Sequence, residues 1–133
     1  MEFEEGKKWL SRARSIELEI KDKIYLIEAL YTCCGLQGIS YDKISVVSSP
    51  ENKLERIIAD INEAQKELEA LRHKKEAVIY EIKSKLDTLE NSPEKTILIG
   101  FYIACYSMDS IADDLGYELK YCYELRKKGI LKL

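Results

Sequence analysis

The side chains that most often carry out catalysis are sparse in this sequence and are not spaced to act together. The single histidine, His73, lies between Arg72 and Lys74, and no nucleophile or orienting residue is spaced to make it a general base. Asp113 and Asp114 are adjacent carboxylates, but we expect them on the solvent side of a helix, where charge serves solubility. Phosphate-binding loops, nucleophile elbows and HExxH helices are missing from the sequence. The sequence therefore predicts a protein that is not an enzyme.

The cysteines do not indicate a metal site. The chain contains Cys33, Cys34, Cys105 and Cys122, which form no CxxC pairs of the kind found in zinc sites and redox motifs. We expect reduced thiols that pack as buried, small apolar residues, as is usual in the cytoplasm. The sequence therefore predicts neither a metal nor another cofactor.

Basic side chains are concentrated near the carboxyl end. Residues 126–132 contain four bases and no acid, although the whole chain has a formal charge of -3, from 21 Lys+Arg and 24 Asp+Glu. This balance argues against a wide basic surface, so a nucleic-acid site would have to be local. The alternative interpretation is a solvated helix end, because bases there interact favourably with the helix dipole.

The residues before these bases have the pattern of two short helices joined by a tight turn. Ser107 is placed to cap a helix over about 108–115, Gly116 tolerates a turn with positive φ, and another helix is expected over about 118–128. Ala112 is small enough for the second helix to cross it. We expect the angle between the helices to be closed by Ile111, Leu115, Cys122 and Leu125. This is the pattern of a DNA-binding helix–turn–helix.

Such a motif leaves one face of its last helix for a partner. We expect the groove of duplex DNA to be faced by Lys120, Tyr121, Tyr123, Glu124 and Lys127. We expect the phosphates to be contacted by Arg126, Lys128 and Lys132.

The sequence SMDSIADDLGY at residues 107–117 resembles the region 4 helix–turn–helix of sigma-70 factors, with FYI at 101–103 before it and GILKL at 129–133 after it. The whole chain is similar to small phage proteins, the ArpU/RinA-like late-gene transcription regulators and their uncharacterised relatives. This similarity includes GKKWL at 6–10 and VSSP at 47–50. The resemblance implies DNA binding near promoters and contact with RNA polymerase.

The last helix departs from the sigma pattern at its start. Glu118 occupies the cap position that usually holds Ser or Thr. Where sigma factors present arginine and glutamate, this chain has Leu119, Lys120, Tyr121 and Tyr123. Because arginine is the side chain best suited to guanine edges, we expect phosphate contacts from Lys120 and Lys127 and only modest base specificity.

The elements that position this motif are predicted to be helices. A chain of 133 residues with 34% charged residues, 6 glycines and 2 prolines fits one helical core with an extended helical part. Apolar residues recur every three or four positions over 4–34, and over 54–89 they follow a 3-4 pattern for five heptads, which predicts coiled-coil packing. Residues 49–51 and 92–94 both read Ser-Pro-Glu, a strong helix start.

These patterns predict an all-α protein with a long antiparallel helical hairpin, a coiled coil, over residues 1–91. Its helices would span about 4–34 and 50–91, with a connector at 35–49. A small three-helix domain of the sigma region 4 type would follow over 92–133, with helices at about 93–106, 108–115 and 118–128. Because the second hairpin helix is the longer one, its apolar stripe between Ile57 and Leu89 needs further cover, either from the carboxyl end or from a second copy in a homodimer.

The longest stretches without charge have 13 residues, too few to cross a bilayer, and the chain begins with acids rather than a signal sequence. We therefore expect a cytoplasmic protein with no membrane partner. The leading hypothesis is a phage or prophage DNA-binding transcription regulator that associates through its coiled coil. The alternative is a non-enzymatic interaction protein whose coiled coil binds RNA polymerase or a second copy and whose helix–turn–helix is only structural. The acidic net charge and the missing arginines favour the alternative.

Overall fold

A computed structural model describes residues 1–33 and 50–133, with the side chains of residues 50–52 outside the description. Every regular element in these two ranges is helical, which confirms the all-α part of the predicted fold class, and neither range contains a strand. The helices are α1 (Phe3–Leu10), α2 (Arg12–Cys33), α3 (Pro50–Leu86), α4 (Pro93–Leu98), α5 (Met108–Leu115) and α6 (Leu119–Leu131), and a π-helical turn (Ile99–Ile103) continues α4. The predicted connector at 35–49 lies outside the described residues.

The predicted helix over residues 4–34 is divided at Ser11 into α1 and α2. The Ser11 hydroxyl donates a hydrogen bond to the carbonyl oxygen of Lys7 at 2.6 Å, and Arg12 Nε donates to the carbonyl oxygen of Trp9 at 3.0 Å. Side chains that bond to helix carbonyls in this way bend helices, because they compete with the main-chain N–H groups. The apolar periodicity continues through Ser11, so it gave no sign of the bend.

The helix α3 ends at Leu86 rather than at the predicted residue 91. The Thr88 hydroxyl donates to the carbonyl oxygen of Lys85 at 2.7 Å, and the Leu89 N–H donates to the carbonyl oxygen of Leu86 at 3.0 Å. Bonds between residues three apart tighten the last turn and end the helix. The last heptad position, Leu89, therefore lies in a turn.

The predicted helix over residues 93–106 also ends early. Its start is as predicted, since the Ser92 hydroxyl accepts a hydrogen bond from the Lys95 N–H at 3.4 Å. From Ile99 onward the helix widens, and the Ala104 N–H donates to the carbonyl oxygen of Ile99 at 3.0 Å. Cys105 then has a φ of 60°, a left-handed conformation that costs a non-glycine residue about 1 kcal/mol. The chain therefore leaves the helix before α5.

The helix α5 has the predicted bounds, and the Ser107 hydroxyl accepts a hydrogen bond from the Ser110 N–H at 3.2 Å. Gly116 ends α5 with a φ of 71°, the left-handed conformation predicted for this turn. The helix α6 then runs three residues beyond the predicted end at 128. None of the helices within residues 1–33 and 50–133 is both long enough and apolar enough to cross a membrane.

The chain contains two compact units. The first comprises residues 1–17 and 74–133, and the second comprises residues 18–73.

The first unit contains α1 as well as the carboxyl-terminal helices, because α6 packs against α1, α4 and α5. Glycines allow α4 and α1 to approach α6 closely. A Cβ atom at Gly129 would lie 2.8 Å from Leu98 Cδ1, and one at Gly6 would lie 2.5 Å from Ile130 Cγ2. The largest fully buried side chains of this unit are Leu10, Ile82, Leu86, Ile97, Leu98, Tyr102, Cys122 and Ile130. The amino-terminal residues and the last helix therefore share one core.

The second unit contains parts of α2 and α3 that face each other through buried apolar residues, namely Ile20, Ile27, Ile61, Ala64 and Leu68. Lys23 Nζ pairs with the Glu67 carboxylate, and Gln65 Nε2 donates to the Tyr31 hydroxyl at 3.3 Å. These polar contacts connect α2 and α3 beside the apolar residues of the second unit.

The apolar stripe that predicted a homodimer is largely covered within the chain. Its buried members are Ile61, Ala64, Leu68, Val78, Ile82 and Leu86, while Ile57 and Leu89 are half-buried. A second copy is therefore not needed to shield the stripe, and the homodimer stays a prediction without this argument.

Candidate nucleic-acid interface

The helix α6 is divided lengthwise into a buried face and an open one. Cys122, Leu125, Gly129 and Ile130 are buried. The side chains of Lys120, Tyr121, Tyr123, Glu124, Lys127 and Lys128 are exposed, and these six residues form what we call the outer face of α6. Of the predicted site, Lys132 is also exposed and Arg126 is half-buried. The structure therefore brings most of the predicted residues together on one accessible surface.

The outer face is presented by the packing of α5 on α6. Ile111, Ala112, Cys122 and Leu125 belong to one buried cluster, with Ile97 and Met108. The turn between the helices is fixed by the Tyr117 N–H, which donates to the carbonyl oxygen of Ala112 at 3.0 Å. Leu115 was predicted to close the same angle, but it lies at the end of α5 with 36% of its surface exposed.

A shallow depression of about 450 Å³ lies at the amino end of α6, lined by Gly116, Tyr117, Glu118, Lys120, Tyr121 and Glu124. The Tyr117 and Tyr121 rings meet edge to face, with their centroids 5.2 Å apart. Glu118 makes no side-chain hydrogen bond to cap the helix, so its carboxylate stays exposed. Asp113 and Asp114 at the end of α5 are also exposed, so three acids precede α6.

The carboxyl end of α6 is basic, but its four cations are not equivalent. Lys127 and Lys128 are exposed, whereas Lys132 Nζ lies 3.5 Å from Glu94 Oε1. The pKa of Glu94 is lowered by a hydrogen bond from its own backbone N–H, by the Ser92 hydroxyl and by the Lys132 charge. Lys132 is therefore partly neutralised by the start of α4.

Arg126 is the predicted site residue that departs furthest from the outer face. Its guanidinium carbon lies 5.0 Å from the centroid of the Tyr123 ring, 5.7 Å from that of Phe3 and 5.8 Å from that of Phe101. Its Nε is buried and has no hydrogen-bond partner. Arg126 also lies near Tyr102, whose pKa is raised by burial and lowered in part by the Arg126 charge. The half-buried side chain of Arg126 therefore packs near aromatic rings of α1 and of the π-helical turn, as well as facing solvent.

The helix α1 also contributes side chains to this region, which the sequence did not predict. Lys7 Nζ and Lys127 Nζ lie 5.8 and 5.7 Å from the centroid of the Phe3 ring. One signal in the sequence could have predicted this contribution. Gly6 lies inside a predicted helix, and a glycine in such a position often marks a close approach of two helices.

The residues set aside as catalytic candidates show no arrangement for chemistry. His73 is exposed, and its Nε2 lies 3.2 Å from Glu69 Oε1 on the same helix. Cys33 is exposed rather than buried as expected, because it lies on the solvent side of the last turn of α2, and Cys34 lies outside the described residues. Burial raises the pKa of the Cys122 thiol, so this cysteine is not a reactive thiolate. Within the described ranges, no three residues of the types His, Cys, Asp and Glu are grouped to hold a metal ion.

No family model, curated protein or solved structure matches this chain.

Proposed function

We propose that this protein binds duplex DNA through the outer face of α6 and acts as a transcription regulator of the phage type. The observation that carries the proposal is the division of α6: its apolar face is committed to the core, while lysine and tyrosine side chains stand free on the other face. Every surface helix has a polar face, so the proposal depends on the composition of this one, which has three lysines and two tyrosines among its six residues.

The dimensions of α6 suit the major groove. A helix of 13 residues is about 20 Å long, and the groove of B-form DNA is about 12 Å wide. Because α5 is joined to α6 by a turn of three residues, it would cross the backbone beside the groove, as the first helix of a helix–turn–helix does.

The side chains indicate how the duplex would be contacted. Lys120, Lys127 and Lys128 supply charge for phosphates, and the Tyr121 and Tyr123 hydroxyls can donate to backbone oxygens. Glu124 is the residue suited to base readout, since a carboxylate accepts a hydrogen bond from the amino group of cytosine. The exposed acids at the amino end of α6 oppose binding, so we expect modest affinity with a marked dependence on salt.

The proposal is tested by fluorescence anisotropy with labelled duplexes at about 50 mM salt. The variant Lys120→Glu with Lys127→Glu should weaken binding at least about tenfold, because two phosphate contacts become repulsive. The matched control is Lys66→Glu with Lys74→Glu, which makes the same charge change at two exposed positions of α3. Circular dichroism of each variant verifies that the helices are intact.

Two results would contradict the proposal: a wild-type protein that does not bind duplex DNA, and a control variant that loses as much affinity as the α6 variant. A comparison of phage promoter DNA with random duplex then separates a sequence-specific regulator from a general DNA-binding protein. Equal affinity for both duplexes would contradict a sequence-specific regulator but not DNA binding itself.

A second candidate function is an interaction protein that binds RNA polymerase or another protein. It is favoured by the four exposed carboxylates of Asp113, Asp114, Glu118 and Glu124 at the amino end of α6, where a DNA-reading helix usually needs positive charge. Purified RNA polymerase provides the test. Binding that survives Lys120→Glu with Lys127→Glu, in a protein that does not bind DNA, would establish this function instead.

A further inference from the structure

We infer that α1 is a second DNA-contacting element, and that Lys7, together with Arg126 and Lys127, forms a site for the phosphodiester backbone around the ring of Phe3. We call these four residues the Phe3 cluster. The inference rests on the proposed function, because the phosphates belong to the duplex that α6 contacts. It adds a contact from the opposite end of the sequence.

The position of Lys7 is set by the packing of α1 on α6. Gly6 lies so close to α6 that a Cβ atom there would be 2.5 Å from Ile130 Cγ2. Leu10, one turn further along, is completely buried. With Gly6 and Leu10 fixed in the core, α1 cannot rotate about its axis without losing this contact. Lys7 is therefore held at a defined place beside α6.

Three cationic groups surround one aromatic ring in this cluster. The nitrogen atoms Lys7 Nζ and Lys127 Nζ and the guanidinium carbon of Arg126 all lie between 5.7 and 5.8 Å from the centroid of the Phe3 ring. Each is within the distance at which the negative face of a ring attracts a cation. The ring therefore allows the three like charges to lie closer together than they would in its absence.

The charge of the cluster is not cancelled by ion pairs. Among the ion pairs of residues 1–33 and 50–133, none includes Lys7, Arg126 or Lys127. The nearest acids in the sequence of α1 are Glu4 and Glu5, which are exposed at its start. Three cations around one ring with no ion-pair partner in the described part of the chain favour an anionic ligand, because an anion relieves the repulsion between like charges.

The cluster is continuous with the outer face of α6. Lys127 belongs to both, and the Tyr123 ring of the outer face lies 5.0 Å from the Arg126 guanidinium. A duplex that contacts Lys127 therefore has its backbone next to Arg126 and Lys7. Guanidinium and ammonium groups together suit phosphate, which accepts from the fork of arginine and from the point charge of lysine. Because phospholipid headgroups offer the same phosphate chemistry, it is the continuity with the outer face of α6 that assigns the cluster to DNA phosphates.

The inference is tested by the salt dependence of binding to a labelled random duplex between about 50 and 200 mM salt. In Lys7→Ala the slope of log K against log salt should fall in magnitude by about 0.9, the value for one lost phosphate contact. Lys7→Arg should keep the wild-type slope. The control is Lys74→Ala, which removes an exposed lysine of α3 from the same compact unit and should also keep that slope. Thermal unfolding of all four proteins verifies that α1 stays packed.

The outcomes separate this inference from the proposed function. If the wild type binds DNA and Lys7→Ala keeps its slope, the inference is overturned and the proposed function stands. The inference is also overturned, and the proposed function stands, if Lys7→Ala and Lys74→Ala reduce the magnitude of the salt slope by the same amount. If Lys7→Ala loses binding only to vesicles of anionic phospholipid, the cluster belongs to a membrane surface and the inference is again overturned. If the wild type does not bind DNA, both are overturned.

Discussion

At the scale of single residues, Gly6 is a position where α1 approaches α6 closely. Gly6 has no role in a free helix, where glycine costs up to about 1 kcal/mol relative to alanine. Its role becomes clear from the contact with Ile130, which leaves no space for a Cβ atom. The composition of this segment could not show it, because the contacting residue lies at the other end of the chain.

The first prediction concerns this contact. Gly6→Ala should lower the free energy of unfolding by about 1–3 kcal/mol. The destabilisation from overpacking the core should exceed the stabilisation from the better helix propensity of alanine. Urea unfolding followed by circular dichroism measures it, with Lys8→Ala as the exposed control on the same helix. A stabilised Gly6→Ala would show that α1 does not pack on α6.

Arg14 is a second residue whose role only the structure shows. Its Nη1 donates to the carbonyl oxygens of Phe101 and Tyr106 at 2.9 and 3.0 Å, and its guanidinium carbon lies 4.0 Å from the centroid of the Phe101 ring. These two carbonyls belong to the π-helical turn and to the segment after Cys105, where the regular helix bonds are lost. Arg14 therefore supplies the donors that this segment lacks.

We predict that Arg14→Lys destabilises the protein by about 1–2 kcal/mol, because an ammonium group cannot both stack on the ring and donate in two directions from a planar fork. Arg56→Lys, the same change at an exposed position of α3, should be neutral. Thermal unfolding of the two variants provides the comparison. An equal effect in both would mean that the stacked geometry contributes nothing.

At the scale of helices, the predicted ends were correct where a local signal sets them. The start of α4 at Ser92 and both ends of α5, at Ser107 and Gly116, depend on capping chemistry that lies within a few residues. The bend at Ser11 and the π-helical turn were missed, because the apolar pattern continues through both; at Ser11 the cause is side chains that bond to helix carbonyls. The same limit applies to the site: the outer face of α6 could be predicted from one helix, whereas the Phe3 cluster needs two.

The start of α4 leads to a prediction about pH. Because the pKa of Glu94 is lowered in the folded protein, its ionised form stabilises the fold, fully so above the pKa of 4.5 that an unperturbed carboxyl group has. This contribution is lost as the pH falls through the lower pKa of the folded state. Glu94→Gln should therefore reduce stability near pH 7, and the difference from wild type should vanish in strong acid. Urea unfolding across this range measures it, and a difference that does not change with pH would contradict the prediction.

At the scale of the whole molecule, charge is distributed unevenly along the site. The net charge of -3 does not describe the region that matters, because Asp113, Asp114 and Glu118 precede α6 while Arg126, Lys127 and Lys128 lie in its carboxyl half. A duplex should therefore lie closer to the carboxyl end and to α1 than the sigma pattern implies. Glu118→Gln should strengthen DNA binding by removing a repulsive charge, and anisotropy at low salt would show it. Weaker binding would instead assign Glu118 a contact of its own.

The homodimer prediction also belongs to the scale of the whole molecule, and it can no longer rest on an uncovered apolar stripe. With the long stripe covered, the large apolar side chains left exposed in the second unit are Leu18, Tyr25, Leu26, Leu54 and Ile58. Exposed apolar groups of this kind mark interaction surfaces when they are contiguous. Light scattering at micromolar concentration decides the question, since a mass of 15.4 kDa would exclude the dimer.

The contact between Gly6 and Ile130 has a consequence for biosynthesis. The residue that α1 packs against comes much later in the sequence, so Leu10 stays uncovered during synthesis until α6 has been made. The first compact unit can form only then, by joining segments that are far apart in the sequence, and contacts of this kind form slowly.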